Sequence, residues 1–208
     1  MSQDATPIVT SAVEGDLDEA LVRRITQHLG LSLGAVHGRR GKPFLLRSIA
    51  GYNNAARFSP WMVLVDLDRD CDCAPDCIQQ WLPRPASQMC FRVAVRAVEA
   101  WLLADRERIA AWLAVGVGRV PANPDALNDP KMSLVNLARH LRRIAVRDDF
   151  VPRRGSGRPV GPLYTTRMIQ FIQDRNTGWR PDIALHASDS LASCLARLGH
   201  FTDPLNVC

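Results

Sequence analysis

Apolar and polar residues alternate in blocks along the first half of this 208-residue chain. The apolar run from Pro7 to Val13 ends on Glu14 and Gly15 and predicts a strand followed by a sharp turn. Leu17, Leu21, Ile25 and Leu29 then fall at helical spacing. Asp16 or Asp18 can cap the start and Gly30 the end, so a helix is predicted over 17–29. Leu31–His37 predicts a second strand, Gly38–Lys42 a basic turn and Pro43–Arg57 a second helix. The strongest strand pattern is Trp61–Asp66. Residues 69–88 predict a loop with one short helix over Cys77–Leu82, and Met89–Val95 predicts a fourth strand. Arg96–Leu113 predicts a helix interrupted near Asp105. Strands alternating with helices predict an α/β fold, a Rossmann-like, mainly parallel sheet flanked by helices with right-handed crossovers.

The second half changes character. Gly116–Pro130 is rich in Gly, Pro, Asn and Asp and predicts a loop. Leu134, Leu137, Ala138 and Leu141 share one face of a helix predicted over Ser133–Val146. A flexible basic stretch, Arg153–Pro159, precedes helices predicted over Leu163–Asp174 and Ser188–Leu198. The expected organisation is an α/β core over residues 1–115 and a helical C-terminal extension, residues 116–208, packed on it, without internal repeats.

A chain of this length can bury one good core with a small appended lobe. Apolar residues make up 47% of it, yet none of its apolar runs approaches the about 20 residues of a membrane span. Met1–Ala5 lacks the charged and apolar regions of a signal peptide. A cytoplasmic protein without membrane contact is therefore expected. The net charge of +5 and pI of about 9.1 lean towards a polyanionic partner. The same arginine excess, with Lys42 and Lys131 as the lysines, also fits a GC-rich coding bias. The six cysteines are expected as free thiols. Cys71, Cys73, Cys77 and Cys90 do not follow the paired hooks of a zinc site, so a cysteine-rich loop beside acids is expected.

Candidate chemistry lies where the strands end. Trp61–Asp66 runs into Asp66, Asp68 and Asp70, and the first strand runs into Glu14. Like charges at the end of an apolar strand add no stability and call for a cation between them. In an open α/β sheet, ligands gather at the carboxyl ends of the strands. If the strand geometry persists, Asp66 and Asp68 point the same way with Leu67 turned to the other face. Such a pair of hard oxygen donors suits magnesium.

The stretch Val13-Glu14-Gly15-Asp16-Leu17-Asp18 resembles the E-G-x-x-D strand end of the Toprim domain, and Asp66-Leu67-Asp68 resembles its D-x-D. That domain is shared by type II topoisomerases, bacterial primases and the overcoming-lysogenization-defect (OLD) nucleases. Val63–Asp68, the run Arg96-Ala97-Val98-Glu99-Ala100-Trp101-Leu102-Leu103-Ala104-Asp105 and Asp129-Pro130-Lys131 further resemble a family of stand-alone bacterial Toprim-like proteins. The resemblance covers about Ile8 to Leu198.

The resemblance implies metal-dependent phosphodiester chemistry with one or two Mg2+ or Mn2+ ions. Glu14 would be a metal ligand or general acid–base, and Asp66 and Asp68 metal ligands. Asp18, Asp70 and Glu99 would be candidates for holding a second ion. Lys131 would be a site residue touching phosphate. The implied protein is a cytoplasmic nuclease acting with a partner ATPase in defence against phage or foreign DNA. Two other readings stay open: a non-catalytic Toprim-shaped partner of an ATPase, and an RNA-processing Toprim nuclease. DNA stands ahead of RNA as partner, and a homo-oligomer is left open.

Several of these residues also have plain structural uses. Glu14 and Asp18 can serve a helix start, Asp70 a solvated acidic turn, and Glu99 a surface pairing with Arg96 one turn earlier. Arg39, Arg40, Lys42 and Arg96 are the candidate phosphate contacts. The chain lacks a G-x-x-x-x-G-K-[ST] loop, a G-x-S-x-G elbow and an H-E-x-x-H pair, so those chemistries are excluded. Tyr52 and Tyr164 are its tyrosines, in too short a chain for a topoisomerase clamp.

Overall fold

The computed structural model describes residues 6–202, so the expectation about Met1–Ala5 falls outside it. Strands β1 (Ile8–Val13), β2 (Ser32–Gly38), β3 (Trp61–Asp66) and β4 (Met89–Ala94) alternate with helices α1 (Asp16–His28), α2 (Lys42–Ala55) and α3 (Ala74–Trp81). Further helices follow: α4 (Glu99–Ala104), α5 (Arg106–Trp112), α6 (Pro130–Ala138), α7 (Ile144–Phe150), α8 (Tyr164–Gln173), α9 (Pro181–Ala184) and α10 (Asp189–Gly199). Two compact units result. One holds the chain up to Val95 and again from Ser190 onward, and the other holds Arg96–Asp189. No helix among the described residues is long and apolar enough to cross a membrane.

The first unit is an α/β layer structure. Its four strands are all parallel, in the order β2-β1-β3-β4. Across the sheet Ala12 lies between His37 and Val63, and Val65 lies beside Val93. β3 is apolar up to its last residue, Asp66, and Trp61 to Val65 are all buried, as expected of an inner strand covered on both faces. Leu45 and Ile49 of α2 pack with Ala12, Val63, Val65, Leu67, Phe91 and Val93. α1 buries Leu21, Val22 and Ile25 and packs on β1 and β2. Each such side chain contributes about 1.5–3 kcal/mol when fully removed from water. In α10 the Arg197 guanidinium donates to the carbonyls of Ser87 and Met89, which ties the last helix to the start of β4.

The second unit is helical. All six residues of α4 are buried, and α4 packs on α6 and α9. The buried Asp105 accepts from the backbone N–H of Arg180 at 3.0 Å and from its guanidinium at 2.9 and 2.7 Å. The Trp179 indole donates to the Trp101 carbonyl at 2.9 Å. The run Glu99–Asp105 therefore forms the middle of this unit.

Local expectations fail in three places. The helix expected over Ser133–Val146 is two helices, because α6 ends at Ala138 before a run of cationic residues and α7 starts only at Ile144. The helix expected from Arg96 starts at Glu99, since Arg96 has a left-handed φ of +59°. The thiols of Cys71 and Cys77 are joined in a disulfide, which corrects the expectation of free cysteines there. The start of α3 brings the buried Cys77 back to Cys71, with 5.9 Å between their Cα atoms. Cys73, Cys90 and Cys194 are free thiols.

Candidate functional site

From β1 the chain returns on one side as β2, and from β3 it continues on the other side as β4, so the strand order reverses between β1 and β3. A crevice at such a point is the usual ligand site of an open α/β sheet. Glu14 stands directly after β1 and Asp66 ends β3. Glu14 Oε1 accepts the Asp66 backbone N–H at 2.8 Å, so the ends of β1 and β3, 52 positions apart in the chain, are joined at this point. Gly15 turns the chain into α1, and its N–H donates to Asp18 Oδ2 at 2.8 Å. Asp18 thus closes the first turn of α1.

The aspartate pair does not lie on one continuing strand, contrary to the alternation read from the sequence. The ladder's last bond runs from the Leu67 N–H to the Ala94 carbonyl at 2.9 Å, and Leu67 is buried. At Asp68 the backbone swings to a φ of +50°, and Asp70 N–H donates back to the Leu67 carbonyl. Aspartate tolerates this left-handed conformation better than most residues, and such backbone clusters at functional sites. Asp66 therefore stays with the sheet edge while Asp68 and Asp70 sit on an exposed turn.

Lys42, at the start of α2, reaches this turn. Its Nζ lies 2.5 Å from Asp68 Oδ2 and 2.8 Å from Asp70 Oδ2, and its side chain is only 11% exposed. The loop before it is pinned to β1: Arg39 N–H donates to the Val13 carbonyl at 2.8 Å and Gly41 N–H to the Glu14 carbonyl at 3.1 Å. Gly38 allows this approach, because its φ is +86° and a Cβ there would run into the Val13 carbonyl oxygen. Burial pushes the Glu14 carboxyl above its ordinary range, with Asp68 and Asp70 adding to the rise; the Asp66 N–H and Lys42 oppose it without cancelling it. Burial alone would lower the Lys42 ammonium, but its pairing with Asp68 and Asp70 outweighs this and raises it.

The structure thus brings Glu14, Asp66, Asp68, Asp70 and Lys42 together. Lys42, read from the sequence as a phosphate contact, is held by carboxylates. Arg39 pairs with Glu19 at 3.0 Å, and Arg40 lies over the Phe44 ring at 5.0 Å. Glu99, Lys131 and Arg96 belong to the second unit. There Glu99 is buried, and its Oε1 accepts from the Tyr164 hydroxyl at 3.1 Å and lies 3.5 Å from Lys131 Nζ. Glu99 Oε2 is buried without a hydrogen-bond partner. A surface pairing of Glu99 is therefore overturned. Asp129 caps α6 through the Met132 N–H at 2.8 Å.

Sequence reasoning missed two features. Tyr164 lies 65 positions from the acid it contacts, beyond any local pattern. A cleft of about 430 Å³ beside the acids is lined by Lys42, Pro43, Leu46, Asp70, Gln80 and Trp81.

Among the described residues no group of three or more His, Cys, Asp or Glu side chains is arranged to hold a metal ion. The donors at the switch point are nonetheless hard oxygens, and the cation held between Asp68 and Asp70 is the Lys42 ammonium. Their chemistry fits magnesium or manganese, provided that Lys42 gives way. In comparison with known proteins, the chain matches no family model, no curated protein and no solved structure.

Proposed function

We propose that this protein is a Toprim-like phosphodiesterase that uses Mg2+ or Mn2+ to cut nucleic acid. The observation that carries the reading is the meeting of Glu14 with Asp66 at the strand-order reversal, with Asp68 on the next turn. Asp66 and Asp68 would hold the ion, and Asp70 would supply a further carboxylate. A bound divalent ion supplies Lewis-acid stabilisation of the phosphate and a more acidic water. The chain's own part begins with Glu14, whose carboxyl is raised by burial and so takes up a proton more readily than an exposed glutamate. Lys42, released from Asp68 and Asp70, would place its charge on a phosphate oxygen. Arg39 and Arg40, both exposed on the loop beside this edge, would bind backbone phosphates.

By resemblance, the substrate is DNA ahead of RNA, the setting is the bacterial cytoplasm, and a partner ATPase directs the cutting against phage or foreign DNA. These steps are family-level analogy. The purified chain, alone and with a candidate ATPase, should nick DNA in manganese or magnesium buffer, and Asp66→Asn or Glu14→Gln should lower the rate at least about 100-fold, as expected of groups in acid–base and metal roles. Cutting that survives both substitutions would end the proposal. A second reading, a non-catalytic partner protein, draws on the double ion pair of Lys42, which already neutralises part of the acid cluster. It predicts no cutting under any of these conditions and ATPase binding that is indifferent to divalent ions.

A further inference from the structure

The cleft beside the acids has a floor and edges of defined chemistry. Trp81 is half-buried at the end of α3 and offers an aromatic wall, with Pro43 and Leu46 adding apolar surface. Lys42 Nζ lies 5.8 Å from the centre of the Trp81 ring. Gln80 brings an amide with both donors and an acceptor, and Asp70 a carboxylate that only accepts. At about 430 Å³ the space falls within the range of small-ligand sites. Lys42 and Asp70 belong to the cleft and to the acid cluster at once, so whatever occupies the cleft lies next to the acids.

A flat, π-faced ligand with a mixed pattern of donors and acceptors on its rim suits these walls, and a nucleobase has that form. We propose that the cleft takes one unpaired nucleobase stacked on Trp81, with Gln80 and Asp70 meeting its polar edge. The substrate class is therefore single-stranded nucleic acid or a frayed end. A base inside a duplex is already stacked and paired and has to leave the helix before it can enter such a cleft. Stacking on an aromatic side chain tolerates every base, so the cleft selects strandedness rather than sequence. This inference rests on the phosphodiesterase reading for its purpose, but not for its test.

The test measures binding without cutting, by fluorescence anisotropy of the whole chain in EDTA. The probes are a labelled single-stranded oligonucleotide, an abasic strand of equal length and the corresponding duplex. The abasic strand keeps the phosphates and lacks the bases, so it separates stacking from charge. The normal single strand should bind about 10-fold more tightly than the abasic strand, and more tightly than the duplex. Trp81→Leu should erase that margin and Trp81→Phe retain most of it. Equal binding of normal and abasic strands, no binding of either, or a margin that survives Trp81→Leu overturns the proposal. Should Trp81→Leu fail to fold by circular dichroism, the abasic comparison and Trp81→Phe still decide. Cleavage in manganese by the unaltered chain is scored separately. Cutting without a base-dependent margin removes the cleft assignment alone, and a margin without cutting removes the phosphodiesterase reading alone.

Discussion

At Glu14 burial, charge and hydrogen bonding pull against one another. Desolvation raises its carboxyl, Asp68 and Asp70 raise it further, and the Asp66 N–H and Lys42 compensate only in part. A folded-state value above the unfolded one means that the fold favours the neutral form. This contribution to stability is fully present below the unfolded value of about 4.3 and is lost as pH rises through the folded value. Glu14→Gln keeps the acceptor for Asp66 and removes the charge. In metal-free buffer its melting temperature should exceed that of the unaltered chain at pH 7, and the gap should close towards pH 4, as thermal melts across that interval will read. A melting temperature lowered at pH 7 would contradict the account. The sequence placed Glu14 and Asp66 correctly because strands in a parallel sheet present their ends on one edge. It did not disclose the Lys42 pairing with Asp68 and Asp70, since an ion pair across 26 and 28 positions leaves no local trace.

At the scale of elements, the loop between β2 and α2 governs the site more than any helix does. Its hydrogen bonds to the Val13 and Glu14 carbonyls fix where Lys42 begins its reach. Gly38→Ala forces a side chain into a left-handed position against the Val13 carbonyl and should destabilise the protein by about 1–3 kcal/mol, measured by urea unfolding. Unchanged stability would show that the loop is not held as described. β3 was the most legible strand, because its apolar run of five residues, Trp61–Val65, is bounded by Pro60 and Asp66 and leaves few alternatives. Most helices were legible in place and poorly in extent; one expected helix proved to be α6 and α7, and α9 was not expected. Arg96 and Asp68 take left-handed backbone that periodicity does not register, and the break between α6 and α7 falls among residues that a helical pattern would accept. The Cys71–Cys77 link was hidden because cysteine spacing says nothing of which side chains a helix start brings together.

On the scale of the whole molecule, a net charge of +5 frames any encounter with nucleic acid. Binding through phosphate contacts weakens steeply with salt, so affinity for a DNA duplex should fall at least about 10-fold between roughly 50 and 200 mM salt, by anisotropy titration. A flat salt profile would speak against a polyanionic partner. The run Glu99–Asp105, legible as a marker of resemblance, proved to be the centre of the helical unit, with Asp105 locked to Arg180 and Trp101 receiving the Trp179 indole. Its charged ends are held by partners 32 to 75 positions away, beyond any local pattern along the chain. Leu67 has a wider effect than its size suggests. An aliphatic plug set between two acids and bonded to the neighbouring strand makes this acidic sheet edge inherit the stiffness of the interior. If the chain cuts nucleic acid as proposed, random mutagenesis that selects for lost cutting will therefore return buried apolar positions of the core that Leu67 shares, Val93 and Phe91 among them, alongside the acids themselves.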